Sequence, residues 1–130
     1  MSYYYDGRVD FSDLKGKTLI STDGPRCGSE EVDFTTACGK KYRMYHSQDC
    51  CERVRIEDVS GDWQCLIGSP IELAYEETNR VDDPPEYPDS FTWTFYRLAT
   101  ANGYVVIRWL GESNGYYSES VDFADITDLS

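Results

Sequence analysis

Basic residues are scarce in this sequence. Against 24 Asp and Glu the 130-residue chain carries 12 Lys and Arg, for a formal net charge of −12 and a pI near 4.3. That balance argues against a nucleic-acid binder, because affinity for phosphate backbones comes mainly from clustered Lys and Arg. Long apolar runs are missing too: no 18-residue stretch is free of charge, so no membrane-spanning helix is expected. The opening MSYYYDGRVDFSD has neither the positive start nor the apolar run of a secretory leader. A reducing cytoplasm is the expected location, where the five cysteines would stand as thiols or metal ligands rather than disulfides. Glycine-rich phosphate loops, Walker, GxSxG and HExxH sequences are absent, as is any internal repeat.

Aromatic side chains, by contrast, are plentiful. Five Phe, eleven Tyr and three Trp are far more than a solvated coil carries, which excludes disorder along the whole chain. A single domain over residues 1–130 follows, burying roughly two-thirds of its unfolded surface.

The acidity is uneven. Residues 71–89 hold Glu72, Glu76, Glu77, Asp82, Asp83, Glu86 and Asp89 against Arg80. Residues 112–130 hold Glu112, Glu119, Asp122, Asp125 and Asp128 against no basic residue. A solvated face is the plain interpretation. The sharper one is a negative surface, formed by Glu76, Glu77, Asp82, Asp83, Glu86 and Glu119, that is aimed at a basic partner.

Residues 10–16 predict one helical turn, capped by Asp10 or Ser12 and stopped at Gly16. Strands are predicted over Lys17–Thr22, Glu31–Ala37, Lys41–His46, Arg53–Val59 and Ile71–Tyr75, with turn signals at Gly24-Pro25 and Cys38-Gly39. Asp62–Ile67, opened by Ser60 or Asp62 and closed by Gly68, fits a short helix. The three prolines and four acids of 79–89 predict an exposed loop. Phe91–Ala101 and Tyr104–Leu110 flank Asn102-Gly103, the preferred pair for a type I′ hairpin. That turn pairs Leu98 with Ile107, Tyr96 with Trp109 and Arg97 with Arg108, and two facing arginines need an anion between them. A second turn at Asn114-Gly115 would bring Tyr116–Ile126 back and set Glu119 beside Arg108. The expected fold is mainly β or α+β: a single twisted antiparallel sheet of about six or seven strands with one or two short helices.

Several clusters bear chemistry. A zinc site from Cys27, Cys38, His46 and Cys50 lacks any C-x2-C knuckle, so no metal site is expected. Cys50 with His46 as base and Glu52 as orienter has the residue types of nucleophilic catalysis, but only through an unspecific local turn. No cofactor and no catalytic residue is assigned. Arg97 and Arg108, with His46, Asp49, Cys50, Glu52 and Asn114, form a candidate anion-binding set. Tyr116 and Tyr117, large and amphipathic, are candidate contact residues for a protein partner.

HSQDCCE (46–52), IEDVSGD (56–62), LIGSPI (66–71), SFTWTFYRLAT (90–100) and IRWLGESNGYYSESVDF (107–123) resemble an uncharacterised small domain family. That family is common in bacteriophages and also present in bacteria, and it carries no assigned activity. The resemblance covers about residues 14–126 and centres on His46, Asp49, Cys50, Cys51, Glu52, Thr92, Trp93, Asn114, Tyr116 and Tyr117. It implies an accessory protein acting in the cytoplasm of a bacterial host. The leading expectation is stoichiometric binding and inhibition of a host-defence or nucleic-acid-handling complex, as an anti-CRISPR protein does, with the acidic residues imitating nucleic acid. Direct nucleic-acid or membrane contact is not expected. The alternatives are a sponge for a small nucleotide signal and a cysteine-dependent enzyme.

Overall fold

A computed structural model of the chain describes residues 8–23, 28–48, 51–82, 90–113 and 118–127. Alternating apolar residues make the strands here, as in the run Val32, Phe34, Thr36, buried at every second position. The first sheet contains β1 (Leu19–Asp23), β2 (Glu31–Thr36), β3 (Lys41–Tyr45) and β8 (Asp122–Asp125), in the order β1-β2-β3-β8. The second contains β4 (Arg53–Gly61), β5 (Leu73–Asp82), β6 (Ser90–Thr100) and β7 (Gly103–Ser113), in the order β4-β7-β6-β5. All pairings are antiparallel.

The fold is therefore mainly β, but its strands divide between two sheets of four rather than joining one sheet of six or seven. The reason lies in the apolar faces. Phe34, Tyr42 and Met44 of the first sheet and Ile56, Tyr96, Leu98, Ile107 and Trp109 of the second are all fully buried in one cluster. One sheet alone would leave such a face in water, whereas two sheets cover each other. Trp109 marks the contact: its indole N–H donates to Met44 Sδ across the layers at 3.1 Å.

The two helical segments are single 3-10 turns. Phe11–Leu14 buries Phe11 and Leu14 and ends before Gly16, whose φ of +88° suits glycine. Asp10 precedes it without a side-chain capping bond. Trp63–Leu66 is capped by Asp62, whose carboxylate accepts from the Gln64 backbone N–H at 2.9 Å.

Two expectations are corrected in the second sheet. The β6–β7 hairpin turns at Ala101-Asn102, so Thr100 faces Gly103, Leu98 faces Val105 and Tyr96 faces Ile107. A type I′ turn at Asn102-Gly103 would need Asn102 at positive φ, and no described non-glycine residue has one. The observed turn is held from outside: Asn102 donates its backbone N–H to Thr100 Oγ1 at 3.1 Å and its side-chain amide to Ser69 Oγ at 2.8 Å. Sliding by two residues keeps every side chain on its face, so the apolar pattern alone could not separate the two registers. Secondly, 79–82 continues β5 as a strand, with Asn79 opposite Trp93 and Asp82 opposite Ser90. Pairing along all of β6 extends it to the border of the prolines. Residues 83–89 and the turns expected at Gly24-Pro25 and Asn114-Gly115 lie outside the described residues.

Candidate functional site

The chain crosses from the first sheet to the second after β3 and returns after β7. These crossovers are the HSQDCCE and ESNGYYSES strings, and His46 ties them together. Its Nδ1 lies 2.7 Å from the Ser120 carbonyl oxygen and its Nε2 2.8 Å from Glu52 Oε2. A carbonyl only accepts, so Nδ1 carries a proton, and a second proton is shared between Nε2 and the Glu52 carboxyl. Both side chains are nearly sealed from water, at 4% and 0% exposure. Gln48 closes the turn by donating its side-chain amide to the Glu52 carbonyl at 2.7 Å, and Ser47 Oγ donates to Asp122 Oδ2 at 2.9 Å. Beside the pair lies an open cleft of about 600 Å³, with Ser29, Glu31 and Arg53 among its other lining residues.

This geometry brings His46 and Glu52 together but leaves neither ring nitrogen open to deprotonate a thiol. Asp49, Cys50 and Cys27 lie outside the described residues. Cys51 is disulfide-bonded, which corrects the expectation of thiols at this position, and its partner is outside the described residues. Sequence spacing does not report which sulfurs the fold brings into contact. Cys38 and Cys65 are free. The Cys38 thiol is exposed and sits below its usual pKa, chiefly because of its hydrogen bond with Thr36 Oγ1 and next the Lys40 backbone N–H. Among the described residues no three His, Cys, Asp or Glu are grouped to hold a metal ion.

The arginine pair is also rearranged. In the observed register Arg97 faces Val106, while Arg108 faces Phe95 on one side and Asp58 on the other. They remain diagonal neighbours on the outer face of the second sheet, with no like-charge pair directly across the ladder. The Arg108 guanidinium lies over the Trp93 ring at 4.9 Å, and its Nε is buried without a hydrogen-bond partner.

Glu119, expected on the acidic surface, is buried at 7% exposure. Its carboxylate accepts from Thr92 Oγ1 at 2.7 Å and from Ser113 Oγ. It packs on Gly111, where an added Cβ would stand 2.5 Å from the Glu119 carbonyl oxygen. An interior carboxylate is tolerated when hydroxyls satisfy it, and no sequence pattern announced those two partners.

Glu76 and Glu77 are exposed on β5. As adjacent strand residues they point to opposite faces: Glu77 stands on the outer face opposite Phe95, and Glu76 on the inner face near the Tyr96 hydroxyl. Burial, with Glu76 next, pushes the Tyr96 hydroxyl well above its ordinary pKa. Leu73 and Tyr75, missed as surface contacts, are 45% and 47% exposed. Their two-residue spacing from Glu77 and Asn79, which puts all four on one strand face, was the available signal. Asp83, Glu86, Asn114, Tyr116 and Tyr117 lie outside the described residues, and of Asp82 only the strand position is described.

β5 is also a sheet edge, and it differs from the other three. On β1, Leu19 carbonyl oxygen accepts from Gly68 N–H at 2.9 Å. The Phe123 carbonyl of β8 accepts from Val9 N–H at 3.0 Å, and on β4 Ile56 exchanges two backbone bonds with Gly28 and Ser29 at 2.7 and 2.8 Å. Among the described residues, no segment bonds the outer side of Leu73–Asp82.

No curated protein and no solved structure matches the chain. A family model described as a domain of unknown function, DUF7448, matches residues 12–123, from the first 3-10 turn to β8 and including both crossover strings, and the chain belongs to that family.

Proposed function

We propose that this chain acts by stoichiometric binding rather than catalysis, presenting its acidic β5 edge to a basic surface of a protein complex. The observation that carries this reading is the exposure of Glu76 and Glu77 on a strand whose outer side no described segment bonds, within a segment of seven acids and one arginine. The partner class it fits is a nucleic-acid-handling or host-defence complex of a phage-infected bacterium, blocked as anti-CRISPR proteins block theirs. Asp82, Asp83 and Glu86 extend the same charge. The commitment of both His46 nitrogens supports the non-catalytic part.

Affinity capture from bacterial lysate tests the proposal. A basic complex retained at low salt and released at high salt is the expected catch, because exposed charges are screened as ionic strength rises. Retention unchanged by charge reversal at Glu76, Glu77, Asp82, Asp83 and Glu86 would overturn it.

A second reading rests on Arg108, whose buried, unbonded Nε lies beside Trp93 on the face that also carries Arg97. An anionic planar ligand such as a nucleotide suits that chemistry. A nucleotide at a hundredfold excess over its Kd would then stabilise the fold by about 2.7 kcal/mol. An unshifted melt across a nucleotide panel would eliminate this reading.

A further inference from the structure

We infer that the partner engages β5 by strand addition: an extended basic segment pairs with the open edge and becomes a fifth strand of the second sheet. This rests on the acidic-edge reading above and specifies how that edge binds.

The hairpin register determines which backbone groups are available. Thr100 and Gly103 close a two-residue loop, so they form a pair that exchanges both backbone hydrogen bonds. Counting back by twos, the even residues of β6 bond β7 and the odd residues turn their N–H and C=O toward β5. The Ala99 carbonyl fits this, accepting from the Glu72 N–H at 2.8 Å. On β5, Leu73, Tyr75, Glu77 and Asn79 therefore bond β6, while Ala74, Glu76 and Thr78 direct their backbone groups away from the sheet. Ala74 is buried at 8% exposure, with the first 3-10 turn packed on β5, so Glu76 and Thr78 carry the groups that no described segment covers. From Tyr75 to Asn79 every residue is exposed, and such an uncovered stretch of edge is a template for another strand.

Charge selects the occupant. Acidic side chains guarding an edge repel another copy of an acidic chain and attract a strand rich in Lys and Arg. Glu76 and Glu77 lie one on each face of β5, so a paired strand with basic residues would meet a carboxylate on either side. Exposed Leu73 and Tyr75 give apolar contact on the outer face at the N-terminal end.

The probe is a peptide of about eight alternating lysines and valines, titrated into the isotope-labelled full chain and followed by NMR. Its control is the same peptide N-methylated at alternate amides, which keeps the charge and removes the main-chain donors. Saturable binding is expected, with shifts centred on Glu76 and Thr78. The N-methylated peptide should bind at least about tenfold more weakly, as should the normal peptide to Thr78→Pro, where proline removes an outward N–H and no bond to β6. Equal binding of both peptides to the wild-type chain would overturn strand addition without depending on any variant folding. In that event, loss of binding on Glu76→Lys with Glu77→Lys would leave the acidic-edge reading standing. Absence of binding, or binding indifferent to that charge reversal, would remove both. A concentration-dependent dimer broken by Thr78→Pro would overturn the inference by giving the edge to a second copy.

Discussion

The second sheet has two edges, and they have been treated in opposite ways. β4 lies beside the crossover that carries His46 and Glu52, and its middle is bonded by Gly28 and Ser29. β5 carries exposed Glu76, Glu77, Leu73 and Tyr75, and its outward backbone groups have no partner among the described residues. One edge is built for permanence, the other for access. Polar side chains near β4 should therefore matter to stability, and those on β5 to binding.

The largest expected effect lies in the core both edges share. Trp109→Ala should cost about 3–5 kcal/mol, since the indole is fully buried and its N–H reaches Met44 across the layers. Chemical denaturation would measure it, and a loss under about 1 kcal/mol would mean that the two sheets do not depend on that contact.

Next is the covered side. Glu52→Ala should cost about 3 kcal/mol, because it leaves a buried imidazole N–H without its carboxylate. Were His46 instead a free base in an open site, the same change would leave the melting temperature nearly unaltered.

At Gly111, an added methyl meets the Glu119 backbone, so Gly111→Ala should destabilise by roughly 1–3 kcal/mol. A neutral result would place Glu119 outside the interior.

Two groups of the first sheet set pH limits. Burial and then the hydrogen bond to Asp13 Oδ2, at 2.7 Å, hold the Tyr42 hydroxyl well above its ordinary pKa. Its contribution is complete below about pH 10, the unfolded value, and is lost as pH rises through the folded value. Tyr42→Phe should flatten that alkaline decline. Burial raises Asp125, but Thr127, through its hydroxyl and N–H, and Lys40 outweigh it and hold the carboxyl below its usual range. Its contribution is present above the ordinary carboxylate pKa, near 3.9, and disappears as pH falls through the lower folded value. Asp125→Asn should shallow the acid limb.

The smallest stability effect belongs to β5: Glu77→Lys should change unfolding free energy by no more than about 0.5 kcal/mol. A larger loss would show that the β5 acids are structural.

Much of the fold was legible locally. Period-2 alternation placed β2, β3 and β6 within one residue and β7 within one at its start and three at its end, and Asp62 with Gly68 bracketed the second 3-10 turn. Local signals carry such elements because they arise from the pleat and from single-residue conformations. The division into two sheets was not legible, since alternation states that a face is buried but not against what. Nor was the hairpin register, which depends on Thr100 and Asn102 bonding Cys65 and Ser69 more than thirty residues away. The string around His46 is tied by a group it does not contain, the carbonyl of Ser120, 74 residues later. Glu119 read as surface charge because its partners, Thr92 and Ser113, are ordinary hydroxyls.

Amide hydrogen exchange on the free chain tests the contrast between the edges most directly. An open β5 edge requires fast exchange at Glu76 and Thr78, beside slow exchange at Tyr75 and Glu77 and at Ile56, whose N–H is held by Ser29. Protection at Glu76 and Thr78 equal to that of Ile56 would mean that the edge is already covered, and would contradict it.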